Sequence, residues 1–352
     1  MAYTTIDLPT DYFNTVTYTG NASGQTITGV GHQPDWIWVK QTGDAGYDHS
    51  LHNSVSGLLK QLISNKNDAE ITNTDTVTSA NSDGFVLGAD TAGPNANSNN
   101  QDTKNYVAWN WKSGGASTST NNDGSTASQV TVNSTSGFSI VSYTGTGSAT
   151  SIGHGLGAKP DLIISKIRST TGDWNVYNNS FAAQERIKLN SGGAKNTNTS
   201  IFASLPSATV VNVGNGGDIN TSSGTHLFFC FKSVKGFSRF GSYFGNGNAD
   251  GTFVYCGFKP AFTMIKRVTD ATEGWIMQDN KTGPRNPIDN FLGANSNAAT
   301  STTTNAHIDY VSNGFKLRHN DTRGNTSGKE YIYWAFAENP FVTSTGIPAT
   351  AR

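Results

Sequence analysis

His49 and His52, in "HSLH", are the most closely spaced pair of histidines in this sequence, and zinc is the first chemistry they suggest. Two histidines three residues apart share a face of a helix but point to opposite faces of a strand. "HSLHN" (49 to 53) reads as a strand with two counterparts, "WNVYN" (174 to 178) and "WIMQD" (275 to 279), which place Trp174 and Trp275 at the first histidine position and Tyr177 and Gln278 at the second. Neither a metal nor a cofactor is expected from this pattern.

Glycoside cleavage needs two carboxylates at a set separation, and only the fold brings such pairs together. Asp35 and Asp161 recur in one repeated phrase, but its third occurrence has Ala261, while Glu70, Glu185 and Glu273 lie in loops that do not match one another. All five read as solvated turn residues, with a carboxylate pair between domains left open. The chain has no G-x-S-x-G elbow and no H-E-x-x-H helix. The glycine-rich stretches "GTGSATSIGHGLG" (145 to 157) and "GNGNADG" (245 to 251) open no helix and lack the P-loop lysine, so they read as turns between strands. The Asn and Asp residues of "NNDGS" (121 to 125) and "HNDTRGN" (319 to 325) fit no EF-hand loop and read as Asx-turns. Cys230 and Cys256 take strand positions held elsewhere by Ala335 and Val30, which makes them small buried groups rather than a disulfide. No catalytic residue emerges, no binding residue can be assigned, and the chain reads as non-enzymatic.

The phrase that carries Asp35 explains more. "GVGHQPDWIWVKQ" (29 to 41) returns as "GLGAKPDLIISKI" (155 to 167) and "CGFKPAFTMIKR" (256 to 267), with Pro34, Pro160 and Pro260 each six residues ahead of Lys40, Lys166 and Lys266. Alternation puts Trp36, Trp38 and Lys40 on one strand face. Their counterparts are Leu162 and Ile164, then Phe262 and Met264, so bulk and apolarity persist while aromatic flatness does not. That is the signature of packed interior, not of a ligand platform. The closing strands "YVAWNWK", "HLFFCFK" and "YIYWAFA" repeat the lesson: Val107, Trp109 and Trp111 on one face match Leu227, Phe229 and Phe231, then Ile332, Trp334 and Phe336.

Each unit opens with an aromatic strand and a Gly turn, "FNTVTYTGNAS", "FSIVSYTGTGS" and "FSRFGSYFGNGN", in which Tyr18, Tyr143 and Tyr243 correspond. The expected organisation is an arm over 1–11, a first β-sandwich over 12–112, a flexible Gly/Ser/Thr/Asn-rich linker over 113–136, sandwiches over 137–235 and 236–341, and a tail over 342–352. The fold class is all-β: three tandem antiparallel sandwiches, jelly-roll or lectin-like, each with its bulky face turned between its own two sheets. Repeats two and three should be rigidly apposed, and the first more independent.

A formal net charge of −1 with 14% charged residues supplies no basic stripe for nucleic acid and no polybasic segment for lipid, and "MAYTTIDLPTDYF" has neither half of a signal peptide. Nucleic acid and membrane insertion are therefore not expected.

The phrases "FNTVTYTGN", "GVGHQPDWIWVK", "NSDGFVLG", "YVAWNWK" and "YIYWAFAENPF", with the opening "MAYTTIDLPTDYF", resemble a family of repeat-containing virion proteins of tailed, often marine, bacteriophages, over nearly the whole chain. The resemblance implies a lectin-like β-sandwich protein made in the host cytoplasm and displayed on the virion, as a head decoration or a tail fibre or spike. It implies other capsid or tail proteins as partners and carries over no site residues; the polar Asn, Ser and Thr loops with interspersed Tyr suit adaptable hydrogen bonding to host-surface carbohydrate or partner proteins, and exposed sandwich edges leave a homo-oligomer open. The alternative is a depolymerase, a hydrolase or lyase acting on host-surface polysaccharide. With about eleven residues ahead of the first repeat, attachment is expected through a sandwich face or that short arm.

Overall fold

Strands with apolar residues on both faces must be covered on both, and this requirement organises the molecule. The computed structural model describes residues 2–91, 98–270 and 273–348. In the first repeat a four-stranded antiparallel sheet runs in the order Phe13–Thr19, Asn105–Trp111, Trp36–Gln41, Ser50–Asn53. A three-stranded sheet of Gln25–Ile27, Gly84–Leu87 and Val77–Asn81 lies across it. The third repeat builds the same pair: Ser238–Phe244, Glu330–Pro340, Phe258–Arg267 and Ile276–Asp279, with Phe253–Tyr255, Gly314–Leu317 and Ile308–Val311. The second has Phe138–Thr144, Thr225–Phe231, Leu162–Ile167 and Asn175–Asn178, and a smaller sheet of Thr150–Gly153 and Val210–Val213. In each repeat the opening strand pairs with the closing one in equivalent register, Tyr18 opposite Tyr106, Tyr143 opposite His226 and Tyr243 opposite Tyr331. The chain is thus all-β and antiparallel, in keeping with the sandwich class. Pro34 and Pro160 precede their strands, and Pro260 sits inside Phe258–Arg267 where the register slips on either side of it.

The bulky faces do not lie where the alternation suggested. The core between the two sheets of the first repeat is made by Ile37, Val39, Tyr106 and Ala108 against Ile27, Val77, Phe85 and Leu87. Trp36, Trp38, Trp109 and Trp111 face the opposite way, into one cluster shared with Leu162, Ile164, Phe229 and Phe231 of the second repeat and Phe262, Met264, Trp334 and Phe336 of the third. Trp36 stacks on Phe229 with centroids 4.5 Å apart, Phe13 on Phe336 at 4.8 Å, and Phe231 meets Phe336 edge-on at 5.8 Å. The tryptophans are interior, as the repeat comparison required, but they bind repeat to repeat. Three free-standing domains in a row would not share this core.

The seams between repeats run head to tail and close. Trp174 Nε1 donates to the Ile63 carbonyl at 2.9 Å, Trp275 Nε1 to that of Lys188 at 3.0 Å, and His49 Nε2 to that of Gly293 at 3.0 Å. Repeat one thus docks on two, two on three, and three on one. Backbone bonds repeat the cycle: Gly172 to Asn67 at 2.8 Å, Lys195 to Val268 at 3.0 Å, Gly46 to Asn297 at 2.8 Å. A heterologous contact whose rotation closes makes a ring, and here one chain supplies all three positions, so the first repeat is no more independent than the others.

The expected linker 113–136 is structural as well. Ser119–Asn121 and Ser128–Asn133 extend the second repeat's main sheet, which reaches eight strands with Glu185–Lys188 and Asn196–Thr197 on its far side. The alternation in "SQVTVN", with Val130 buried, was hidden by the surrounding Ser and Thr. The arm is likewise engaged within the chain: Thr4 and Ile6 are buried, Thr4 Oγ1 donates to the Lys235 carbonyl at 2.8 Å, and the Ser344 amide donates to Asp7 at 2.6 Å.

One shared core implies one transition. Chemical denaturation followed by tryptophan fluorescence and by far-UV circular dichroism should give coincident single curves, and Trp36→Ala should lower stability by about 3–5 kcal/mol. Separate steps for the repeats would contradict the shared core.

Candidate functional site

The side chains with the strongest chemical potential are held for structure. His49 and His52 point to opposite faces of Ser50–Asn53 and its approach, as expected for a strand. Trp38 Nε1 can only donate, so at 2.8 Å it makes His49 Nδ1 an acceptor and leaves Nε2–H for Gly293. Histidine here does the work of the tryptophan at the other two seams. His52 is turned the other way: its Nδ1–H donates to the Leu58 carbonyl at 2.7 Å, and its Nε2 accepts from Ser50 Oγ at 2.8 Å.

Ser50 and His52 thus form a hydroxyl–imidazole pair with the geometry of an activated nucleophile, which the sequence reading passed over. The signal was the S-x-H spacing, since alternate strand residues share a face. Three features oppose catalysis. Both side chains are fully buried, Ser50 Oγ also accepts from Gln61 Nε2 at 2.6 Å and Asn99 Nδ2 at 2.9 Å, and the imidazole is oriented by a neutral carbonyl. An oxygen that donates once and accepts twice has no lone pair left for attack. Burial holds His52 down to about 4.

The carboxylates singled out from the sequence are dispersed, and most are not solvated turns. Asp35 is buried and accepts from the amides of Ser113 at 2.7 Å and Gly115 at 3.2 Å; burial raises its pKa. Asp161 does the same for Ser233 at 2.6 Å. Glu70 grips Arg168 across the first seam with bonds of 2.7 and 2.8 Å, Glu185 pairs with Lys195, and Glu273 accepts from Thr322 Oγ1 at 2.7 Å. Among the described residues no three His, Cys, Asp or Glu side chains converge as a metal site. Cys230 and Cys256 are free thiols, buried as expected, with burial pushing both upward.

Lys40, Lys166 and Lys266 are buried at the three seams, each Nζ donating to the carbonyl of the next residue, at 2.7, 2.8 and 2.7 Å. Lys166 also reaches the Gly172 carbonyl at 3.0 Å, and Lys266 that of Gly192 at 3.1 Å. Burial lowers all three to about 8.

A second recurring device escaped the sequence reading. Asn100, Asn220 and Asn325 are fully buried, each six residues before the closing-strand positions Tyr106, His226 and Tyr331. Each Nδ2 ties two strand-flanking carbonyls: Ser23 and Gly88 at 2.6 and 2.7 Å, Ser148 and Gly214 at 2.6 and 2.8 Å, Asn248 and His319 at 2.8 and 2.7 Å. The Oδ1 atoms accept from the amides of Asn21, Thr146 and Asn246. Tyr18, Tyr143 and Tyr243 donate their hydroxyls to the carbonyl just before each asparagine, on Asn99, Ile219 and Gly324. Gly20, Gly145 and Gly245 pass so close to the residue after it that a Cβ would lie 2.1, 2.2 and 2.3 Å from its carbonyl oxygen. The Tyr-x-Gly of each opening strand is therefore one half of a clasp, and the buried Asn is the other.

Surface clefts remain. One of about 420 Å³ lies between the first and third repeats beside Thr17, Tyr106 and Thr282. One of about 620 Å³ in the third repeat carries Lys281 and Arg285. One of about 470 Å³ lies where the second repeat, the third repeat and the arm meet, and it brings the exposed Tyr255 together with Lys235 and Arg239.

A family model described as a domain of unknown function, DUF7483, matches residues 8–340. The chain belongs to the DUF7483 family. Its match runs across all three repeats as one unit, as the shared core does. No curated protein matches this DUF7483 chain.

Two outcomes follow for this DUF7483 ring. Asn325→Ala orphans the buried His319 carbonyl and the part-buried Asn248 carbonyl and should cost about 1–3 kcal/mol in a urea titration. Burial depresses His49 to about 3 and His32, His52, His226 and His319 to about 4, so between pH 6.5 and 4 the unfolded chain binds protons that the folded chain refuses. Stability should fall steadily as pH drops through that window, each fully buried histidine contributing on the order of 3 kcal/mol once titrated. The depressed lysines give the same sign at the alkaline end, a gain as pH rises from about 8 toward 10. Midpoints unchanged between pH 7 and 5 would contradict the assignment of neutral buried imidazoles.

Proposed function

We propose that this protein is a non-enzymatic structural component of a tailed-bacteriophage particle, displayed as a head decoration or a tail-associated fibre or spike. It would meet host-surface glycans or neighbouring virion proteins through its outward strands and loops. Its motifs resemble those of such virion proteins, and one structural observation supports a scaffold over a catalyst. The three repeats close head to tail within a single chain, and the polar groups inside are committed to holding that closure. His49, the three lysines, Asp35, Glu70 and the Tyr–Asn clasps all serve strand ends and seams, and the Ser50–His52 pair has no access and no free lone pair. A ring whose three units lie in one chain needs no subunit association before it is mounted, and its rigidity fixes the spacing of whatever its surface presents.

Mass spectrometry of purified particles should find the chain, and antibody-gold labelling should place it on the head or the tail. A copy number close to that of the capsid protein would mark a head decoration, and a much smaller one a tail component. Incubation with host envelope polysaccharide should release no new reducing ends. Release that a single Asp or Glu substitution abolishes would replace this reading with a depolymerase, and absence from particles would remove the virion assignment.

A further inference from the structure

The comparison that assigns Trp36 and Trp38 to the interior also singles out side chains the fold does not need. In Phe253–Tyr255, Val254 points inward, while Phe253 and Tyr255 are 44% and 47% exposed. By register Val254 corresponds to Ile27 and Ile152, so the inward position stays apolar in all three repeats. The outward positions are Thr26 and Thr28 in the first repeat and Ser151 and Gly153 in the second. Phe244, 61% exposed, stands where Thr19 and Thr144 stand, and Arg239 where Asn14 and Ser139 stand. Two repeats fold with small or polar residues at these places. Large exposed aromatics gathered in one copy alone mark a contact surface.

Tyr255 forms one wall of the cleft of about 470 Å³, and Tyr3 of the arm closes its side. Tyr3 Oη donates to the Gly257 carbonyl at 2.8 Å and lies 3.2 Å from Tyr255 Oη, so the two hydroxyl tips are held together. Lys235 Nζ lies 4.2 Å from the Tyr3 ring centroid, and the Arg239 guanidinium 5.7 Å from that of Tyr255. Both cations are exposed, and among the described residues neither has a carboxylate within ion-pair reach. Asp161 lines the same cleft, and its oxygens accept from the Ser233 amide and, at 2.7 Å, from Asn179 Nδ2, with acceptor capacity left over.

We propose that this cleft binds an acidic saccharide, a sugar ring bearing a carboxylate or sulfate. The apolar face of the ring lies on Tyr255, the anionic substituent between Lys235 and Arg239, and a ring hydroxyl donates to Asp161. The cleft has the volume of a small-ligand site, whereas a protein partner needs a broad complementary face. Two unpaired cations select an anion, and the single carboxylate lining the same cleft accepts hydroxyls, a combination that suits a polyol acid better than a phosphate or a hydrocarbon. This deepens the reading of the protein as a displayed, glycan-contacting component and rests on it.

Affinity electrophoresis of the full chain through gels holding hyaluronate, dextran sulfate or neutral dextran tests the assignment. Hyaluronate or dextran sulfate should retard the protein and dextran should not; retardation by one and not the other identifies the acid group. Tyr255→Ala and Arg239→Ala should each weaken retention about tenfold, Tyr255→Phe should keep most of it, and Lys281→Ala with Arg285→Ala, in the neighbouring basic cleft, should leave it unchanged. These side chains are exposed, so the variants should melt as the parent does. No retardation by either acid polymer overturns the proposal, as does retention that survives Tyr255→Ala, which would be bare charge attraction. Tyr255→Ala lowering incorporation into particles with no glycan retention would overturn it in favour of a protein contact. The gel measurements do not depend on whether the parent protein is found in particles, so the two readings fail separately.

Discussion

Trp36 lies between Trp111 of its own sheet, 4.4 Å away, and Phe229 of the next repeat, 4.5 Å away. That arrangement expresses the constraint on which the molecule depends: the main sheet of each repeat is apolar on both faces, and the small sheet of its own repeat covers only one. The uncovered face carries some of the largest side chains in the chain, each good for roughly 1.5–3 kcal/mol or more on burial. Three such faces turned toward one another bury all of them at once. A repeat in isolation would leave its tryptophans in water, so the repeats fold as parts of one object.

A shared apolar centre does not by itself fix how the units are rotated about it. The seams do. A ring N–H donates from each repeat to a carbonyl of the one before, and a buried lysine backs it. Such groups add little net stability when satisfied but are costly when left without partners, so they penalise any other registration of the three units. The Tyr–Asn clasp plays the same part within a repeat, binding the start of the first strand to the segment that leads into the last. Closing a chain of a hundred residues end to end in this way leaves the intervening loops free to differ in length.

Much of this was legible. Period-two alternation located the strands, and matching three copies fixed the correspondence of Tyr18, Tyr143 and Tyr243, which the pairing registers reproduce. Comparing copies also separated required bulk from optional chemistry at Trp36 and Trp38. What alternation cannot say is which partner each face meets, because a strand pattern records burial and not the identity of the covering layer. The interlocked seams were therefore invisible. Asn100, Asn220 and Asn325 went unread because they sit in connecting segments of unequal length, Asn220 at the end of the short helix Gly217–Asn220, where residues align only when counted back from the closing strand. Asp35 was read as a solvated turn because a carboxylate that accepts backbone amides looks in sequence like any polar turn residue. The strand at Ser128–Asn133 was lost in a Ser- and Thr-rich background.

Three linked copies differ from three associated copies in one further respect. Identical subunits must carry every surface substitution in triplicate, whereas a ring built from one chain can decorate a single sector and leave the other two plain. Phe244, Phe253 and Tyr255 are such a sector, with Thr, Ser and Gly in their places elsewhere. Each molecule accordingly offers that patch with a valency of one, and any avidity must come from the density at which whole molecules are arrayed rather than from the threefold design of the molecule itself.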